Sequence, residues 1–144
     1  MSKKKVLWGV LLVPILLVAS IIVMDLRYCN QIEKIVSDAV CYFPQTMDES
    51  IITRENYNYI SENMSFNGEK FNSIQLKKME VSVEENRPIL WFKQKSKVEV
   101  RVYYQGNKDK EKLEGAEYFL IKVEPSGTNI KIVDVDELIV PEWK

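Results

Sequence analysis

The feature that most constrains this chain is an uncharged apolar run, residues 6–24, close to its N-terminus. The run consists mainly of Val, Leu, Ile and Met, and its interruptions include Gly9, Pro14 and Ser20. At about 1.5 Å per residue, a helix over this run would be roughly 28 Å long, close to the ~30 Å hydrocarbon core of a bilayer. The run therefore predicts a transmembrane anchor, with the lipid bilayer as the first partner of the chain.

The charges beside the run predict its orientation. Lys3, Lys4 and Lys5 precede it, and no acidic residue occurs before Asp25. The positive-inside rule then makes residues 1–5 a cytoplasmic basic tail, residues 6–24 the membrane anchor and residues 25–144 an extracytoplasmic domain. The alternative is a signal peptide that is cleaved near Ser20, which would release a secreted domain on the same side of the membrane.

Composition limits what the domain can do. Residues 25–144 carry 17 basic and 21 acidic side chains, so a nucleic-acid partner is not expected, because such binding needs a basic surface. The chain has no histidine, which removes the commonest general base and most zinc sites. We recognise no catalytic constellation, metal-ligand spacing or cofactor motif, and we therefore expect a protein that is not an enzyme and holds no cofactor.

Hydrophobic periodicity predicts two helices after the anchor. Apolar residues at three-and-four spacing over residues 26–43 predict an amphipathic helix that Pro44 ends. Nothing between Met24 and Leu26 breaks a helix, so whether the anchor continues into this helix is an open question. Thr53 is a suitable N-cap for a short helix over residues 54–63.

From Ile74 onward the period becomes two, which is typical of strands. A strand over residues 74–83 changes parity near Lys77 and Lys78, which predicts a β-bulge. A long strand over residues 90–104, a charged loop over residues 106–115, and strands over residues 118–123 and 129–135 follow. The order predicts an α+β domain, with a helix and a short helix packed on a roughly four-stranded antiparallel meander.

This order of elements resembles the cone-shaped, cystatin-like fold of the nuclear-transport-factor-like family. In that resemblance residues 26–63 match the helical part, and residues 74–135 match the strands. Anchored bacterial members of that family include scaffold subunits of type IV secretion and conjugation machines. The resemblance implies a sheet that wraps around separate helices and leaves a cavity.

A second resemblance is to type IV pilins and pseudopilins, in which a membrane helix continues into an amphipathic helix that packs on a sheet. Residues 6–43 are similar to that helix. This sequence departs from the pattern that the family's processing requires, a Gly followed by a Glu five residues into the mature helix. The only candidate is Gly9, and Pro14 occupies the place of the Glu. The resemblance implies one unbroken helix.

One face of the predicted long strand is rich in basic and aromatic residues. Alternation places on it Trp91, Lys93, Lys95, Lys97, Arg101 and Tyr103, with Glu99 among them. The functional hypothesis is a strip that binds anionic groups, such as lipid headgroups, a cell-wall polymer or an acidic partner, with Trp91 and Tyr103 as flanking contacts. The ordinary interpretation is the solvated face of a half-buried sheet. Asp134, Asp136 and Glu137 similarly allow a cation site or, more simply, a solvated strand end.

Cys29 and Cys41 are the only cysteines. On one continuous helix they would be about 18 Å apart, beyond the ~7 Å that a disulfide allows between Cα atoms. Two thiols, an inter-chain disulfide, or an intramolecular bond after a break in the helix are the three alternatives. Taken together, the sequence predicts a single-pass subunit that serves other membrane or envelope proteins through interaction or assembly. The alternatives are a pilin-like subunit, which could form homo-oligomers, and a module that binds a small ligand or an envelope polymer.

Overall fold

The computed structural model describes residues 3–41, 43–66, 69–70, 74–84, 89–90 and 95–137. Two α-helices come first, α1 (Lys3–Val40) and α2 (Arg54–Glu62), with one turn of 3-10 helix at Pro44–Thr46 between them. A two-stranded hairpin of β1 (Ser65–Phe66) and β2 (Glu69–Lys70) follows. The main sheet comprises β3 (Gln75–Val83), β4 (Ser96–Lys108), β5 (Glu111–Ser126) and β6 (Asn129–Glu137). The predicted α+β class is confirmed.

The helix α1 runs without interruption from the apolar run into the domain, which answers the question that the sequence left open. Pro14 lies inside it, in the first half, where every side chain from Val10 to Ser20 is exposed. Among the described residues, α1 is the helix long and apolar enough to cross a membrane, so it is compatible with a single-pass anchor.

The helix ends at Val40, three residues before the predicted end at Phe43. The Phe43 N–H donates to the Asp38 carbonyl at 3.0 Å, which closes the last turn. Phe43 itself has φ −104° and ψ 73°, outside the helical region, because the ring of Pro44 disfavours helical geometry in the residue before it.

The short helix α2 begins where its cap predicts. Thr53 is extended, and its hydroxyl accepts a hydrogen bond from the Asn56 N–H at 3.3 Å. The helix ends at Glu62, with Asn63 as its C-cap rather than its last residue. Tyr57 and Ile60, three residues apart, are both buried, so this pair fixes the face that α2 turns to the core.

The main sheet is an antiparallel meander with strand order β3-β4-β5-β6. The predicted bulge in β3 is confirmed by a register shift between Leu76 and Lys78. Gly106 on β4 faces this bulge, and a Cβ there would lie 2.7 Å from the Gln75 carbonyl oxygen. A glycine is therefore needed at this position, because a side chain there would collide with the backbone of β3.

The predicted loop over residues 106–115 is wrong, because β4 and β5 continue through it as a hairpin. The turn consists of Asp109 and Lys110, which have φ values of 49° and 74°. Two adjacent residues at positive φ are typical of the two-residue hairpin turn that matches strand twist. Polar residues are abundant here because this end of the hairpin extends past the core, so that Glu111, Lys112 and Glu114 are exposed.

Other strand bounds also differ from the prediction. The strand β5 covers Glu111–Ser126 instead of residues 118–123, and β6 ends at Glu137 rather than Val135. The strand β4 begins at Ser96, so Leu90 precedes it, while residues 91–94 lie outside the described residues. Long-range pairing extends these strands beyond their apolar stretches, because a hairpin partner satisfies the backbone of polar residues equally well.

The core lies between one face of the sheet and the second half of α1 together with α2. The helices contribute Tyr28, Ile32, Val36, Ala39, Val40, Tyr57 and Ile60, and the facing strands contribute Val98, Val100, Val102, Tyr104, Phe119, Ile121, Val123, Ile130 and Ile132. The Ile132 N–H donates to the Ile51 carbonyl at 2.7 Å, which covers part of the β6 edge. The helix that carries the apolar run is therefore also a wall of the core.

Candidate functional site

The basic face predicted from sequence lies on the outer face of the sheet, away from α1. Lys95, Lys97 and Arg101 are exposed and Tyr103 is half-exposed, whereas Val98, Val100 and Val102 between them are buried. Trp91 and Lys93, the other two members of the predicted strip, lie outside the described residues.

At the Ser96 end of β4 the strip is joined by lysines from two other strands. Lys97 pairs directly with Lys122 on β5, and Glu124 pairs with Lys131 on β6. The Lys95 Nζ atom lies 2.8 Å from Glu124 Oε1, and this hydrogen bond is the main cause that lowers the pKa of Glu124. Three lysines, Lys95, Lys122 and Lys131, thus favour the ionised form of Glu124, and Lys97 lies beside Lys122.

Lys122 and Lys131 were missed by the sequence reasoning, which considered one strand at a time. Their proximity to Lys95 and Lys97 depends on the registers of β4 with β5 and of β5 with β6. A register shift between Lys122 and Val123 also moves β6 by one position. No local pattern in a single sequence specifies such a register.

Carboxylates interrupt the strip at Glu99, midway between Lys95 and Tyr103. The Glu84 N–H donates to the Glu99 carbonyl, and the Glu99 pKa is raised, mainly by a hydrogen bond between the two carboxyl groups. Asp136, exposed on β6, pairs with Leu120, which in turn pairs with Glu99. This row of three acidic residues separates the lysines at one end of the outer face from Arg101 and Tyr103.

The substitution Glu84→Gln is expected to stabilise the domain at neutral pH, because it removes the contact between two carboxyl groups that raises the Glu99 pKa, first through a hydrogen bond that needs a proton and also through like-charge repulsion. Protonation of Glu99 favours the folded wild-type chain. The contribution of this pair to the free energy of unfolding is therefore present below the ordinary pKa of 4.5 and is lost as the pH rises through the raised pKa. The melting temperature of the variant should therefore exceed that of the wild type near pH 7, and the two should converge below about pH 4.5. An equal difference at both pH values would contradict this.

Tyr103, which is half-exposed, is held in place by neighbouring side chains. Its hydroxyl donates to Glu114 and accepts from Gln105 Nε2 at 2.5 Å, and the Glu114 contact is the main cause that raises the Tyr103 pKa. Arg101 and Lys78 each lie within 6 Å of its ring centre, at 5.6 and 5.7 Å. The predicted strip is therefore two surfaces, a basic one beside the start of β4 and a mixed one around Tyr103.

The two cysteines are thiols rather than partners in an intramolecular disulfide. The unbroken α1 separates them, so the alternative that needed a broken helix does not apply. Cys29 is 8% exposed, and Cys41 is half-buried with its Sγ 4.0 Å from the sulfur of Met79. An inter-chain disulfide stays a prediction, and Cys41 has the more accessible of the two thiols.

The structure also has a concave pocket of about 270 Å³ between α1, α2, the segment before α2 and the start of β6. Lys34, Asp38, Asp48 and Asn129 are among its lining residues. Tyr57, also in the lining, is 2% exposed, and burial is the main cause that raises its pKa. The Gln31 side chain is held by hydrogen bonds within the domain. Its Nε2 donates to the Thr128 carbonyl and to Asn129 Oδ1, and its Oε1 accepts from the Ile130 N–H.

Asp134 and Asp136, the predicted candidates for a cation site, lie away from this pocket, on β6. No group of three His, Cys, Asp or Glu residues that could bind a metal occurs in the described part of the chain.

Comparison of this chain with protein-family profiles, with curated proteins and with solved structures finds no match. Any proposal about function therefore rests on the geometry described above.

Proposed function

We propose that this protein is a single-pass, extracytoplasmic membrane protein whose domain serves as a non-enzymatic interaction or assembly subunit of an envelope or secretion complex. One observation carries the proposal: α1 is a single helix that both contains the apolar run and forms a wall of the core. The anchor is then not a flexible tether. A partner that binds the domain is held at a fixed position relative to the membrane.

One side of α1 is suited to such a partner because the domain leaves it uncovered. Val23, Arg27, Asn30 and Lys34 are all exposed, and at about 100° per residue they fall within roughly 60° of one another. Leu12 and Leu16 lie on the same side, within the apolar run. The uncovered side therefore extends from the membrane segment along the domain, and another helix could pack against it over its whole length.

The extracytoplasmic location in this proposal rests on Lys3, Lys4 and Lys5, which favour a cytoplasmic N-terminus. Cleavage near Ser20 is the alternative. It would leave the core-forming part of α1, from Tyr28 to Val40, intact and would release the domain on the same side. A partner held by the uncovered side would then lose Leu12 and Leu16 as contacts.

Crosslinking in native membranes tests the proposal. With p-benzoylphenylalanine in place of Asn30, illumination should give adducts heavier than the 16.9 kDa chain. The same probe in place of Glu62, an exposed position on α2, is the matched control and should give none. Absence of protein adducts at position 30, or equal adducts at both positions, would contradict an interaction through the uncovered side.

A second candidate is a pilin-like subunit, and the unbroken α1 with the sheet packed on its second half is the observation that favours it. In that case copies of this chain pack through α1. Adducts at position 30 would then form a series of multiples of the chain mass, whereas a subunit of a mixed complex gives adducts with other proteins. The absence of a Glu five residues after Gly9 counts against pilin-type processing. The cone-shaped alternative retains the pocket beside Tyr57 as its support.

A further inference from the structure

The contacts that α1 makes just after the apolar run show which part of the domain lies nearest the membrane. The apolar run ends at Met24, and the next residue, Asp25, accepts a hydrogen bond from the Leu90 N–H at 3.0 Å. Leu90 is buried, while its neighbour Ile89 is 46% exposed. An exposed isoleucine is thus held beside the first residue after the apolar run, where a bilayer begins its headgroup layer.

Two further hydrogen bonds from α1 hold the turn between β5 and β6 at a similar distance from the end of the apolar run. The Tyr28 hydroxyl donates to the Gly127 carbonyl at 2.6 Å, and Gln31 Nε2 donates to the Thr128 carbonyl at 3.2 Å. Tyr28 is about 6 Å beyond Met24 along the helix, and helical side chains tilt toward the N-terminus, here toward the membrane. A headgroup layer is roughly 5–8 Å thick on each side, so the turn lies at its depth.

We propose that this end of the domain rests on the phospholipid headgroups of the leaflet from which α1 emerges, and that its lysines bind anionic headgroups there. The contact surface, which we call the basal rim, consists of Ile89, Lys95, Gly127, Thr128 and Lys131. The proposal rests on the membrane anchor alone and not on any protein partner.

The charges on the outer face of the sheet change with distance from the turn between β5 and β6. Lys95 and Lys131 flank Glu124 in the row nearest the turn, and Lys97 and Lys122 form the next row, with Asp134 opposite Lys122. Among the described residues of these two rows, basic side chains therefore exceed acidic ones. The row after them holds Glu84, Glu99 and Asp136, which an anionic surface repels. This order of charges favours the basal rim, and disfavours the middle of the sheet, as the part that contacts an anionic membrane.

The contact with lipid is tested on the purified full chain in nanodiscs of phosphatidylcholine mixed with phosphatidylglycerol. With p-benzoylphenylalanine in place of Ile89 or Thr128, illumination should give phospholipid adducts, identified by mass. The same probe in place of Asp109 is the control, because β4 carries that turn about 40 Å away at ~3.3 Å per residue. Three results would contradict contact between the basal rim and lipid. They are a lack of lipid adducts at positions 89 and 128, equal lipid adducts at position 109, and adducts between two copies of the chain in place of lipid.

The choice of anionic headgroups is tested by the lipid class of the adducts at position 128. Phosphatidylglycerol adducts should exceed the share of that lipid in the nanodisc by up to about five-fold for each contacting lysine. The pair Lys95→Gln with Lys131→Gln should return the adduct ratio to the lipid ratio, while Lys110→Gln with Lys112→Gln at the distant turn should leave the enrichment unchanged. Circular dichroism checks that each pair melts like the wild type. Adducts of the wild type that match the lipid ratio would overturn the assignment of anionic headgroups.

Discussion

Replacing Ile32 by aspartate is expected to unfold the domain. Ile32 has no exposed surface and lies on the face of α1 that packs against the sheet. Shortening a buried isoleucine costs about 2–5 kcal/mol, and the unpaired carboxylate adds a desolvation cost to that loss. Native domains are stable by only about 5–15 kcal/mol, so a cost of this size removes most or all of the folded population.

The matched control is Lys34→Asp, which places the same side chain on the uncovered side of the same helix. Far-UV and near-UV circular dichroism in detergent should show the native spectrum for the control, and loss of sheet and tyrosine signals for Ile32→Asp. A cooperative melt of Ile32→Asp at the wild-type temperature would contradict the packing of α1 on the sheet.

The second large effect is expected from two charges inside the apolar run. Leu12→Arg with Leu16→Arg should release the chain from the membrane, because each arginine near the centre of a spanning helix costs about 2.5–3.5 kcal/mol and each lost leucine removes a favourable contribution. Both side chains are exposed, so the domain itself should stay folded. Alkaline extraction should leave the wild type in the pellet and move the variant to the supernatant.

Leu26→Arg with Asn30→Arg is the control for this pair. It has the same spacing of four residues and is also exposed, but it lies beyond the apolar run. Arginines at that depth are at the interface and should not disturb insertion. Extraction of both double variants alike, or of neither, would contradict residues 6–24 as the membrane segment.

The local elements of this fold were predictable because short-range physics determines them. Thr53 supplies the cap of α2, and the change of parity at Lys77 and Lys78 marks the bulge in β3. The core buries the apolar face predicted over residues 26–43 as far as Val40, whereas Phe43 is 46% exposed. The loop predicted over residues 106–115 is wrong because a high content of charged residues does not exclude a strand. Next to the turn, the neighbouring residues Glu111 and Lys112 point to opposite faces of the hairpin and both are exposed, so charged residues are suitable on each face.

The candidate surface was only partly predictable for a related reason. Alternation correctly places Lys95, Lys97 and Arg101 on one face, since that depends on a single strand. The approach of Lys122 and Lys131, and the interruption by Glu84 and Asp136, depend on pairing between strands that are distant in sequence. Likewise, the hydrogen bonds from Leu90 to Asp25 and from Tyr28 to Gly127 define the basal rim, and no local pattern indicates them.

The continuity of α1 is the central claim, since the anchor, the uncovered side and the basal rim all depend on it. A pulsed electron paramagnetic resonance distance between spin labels at Leu16 and Lys34 in nanodiscs tests it most directly. Both positions are exposed, and labels attached through p-acetylphenylalanine leave Cys29 and Cys41 unchanged. Eighteen residues are five turns, so one helix predicts a single narrow distance of about 27 Å, with both labels on the same side. A broad distribution, or a clearly shorter distance, would show a break between the membrane segment and the domain and would contradict the claim.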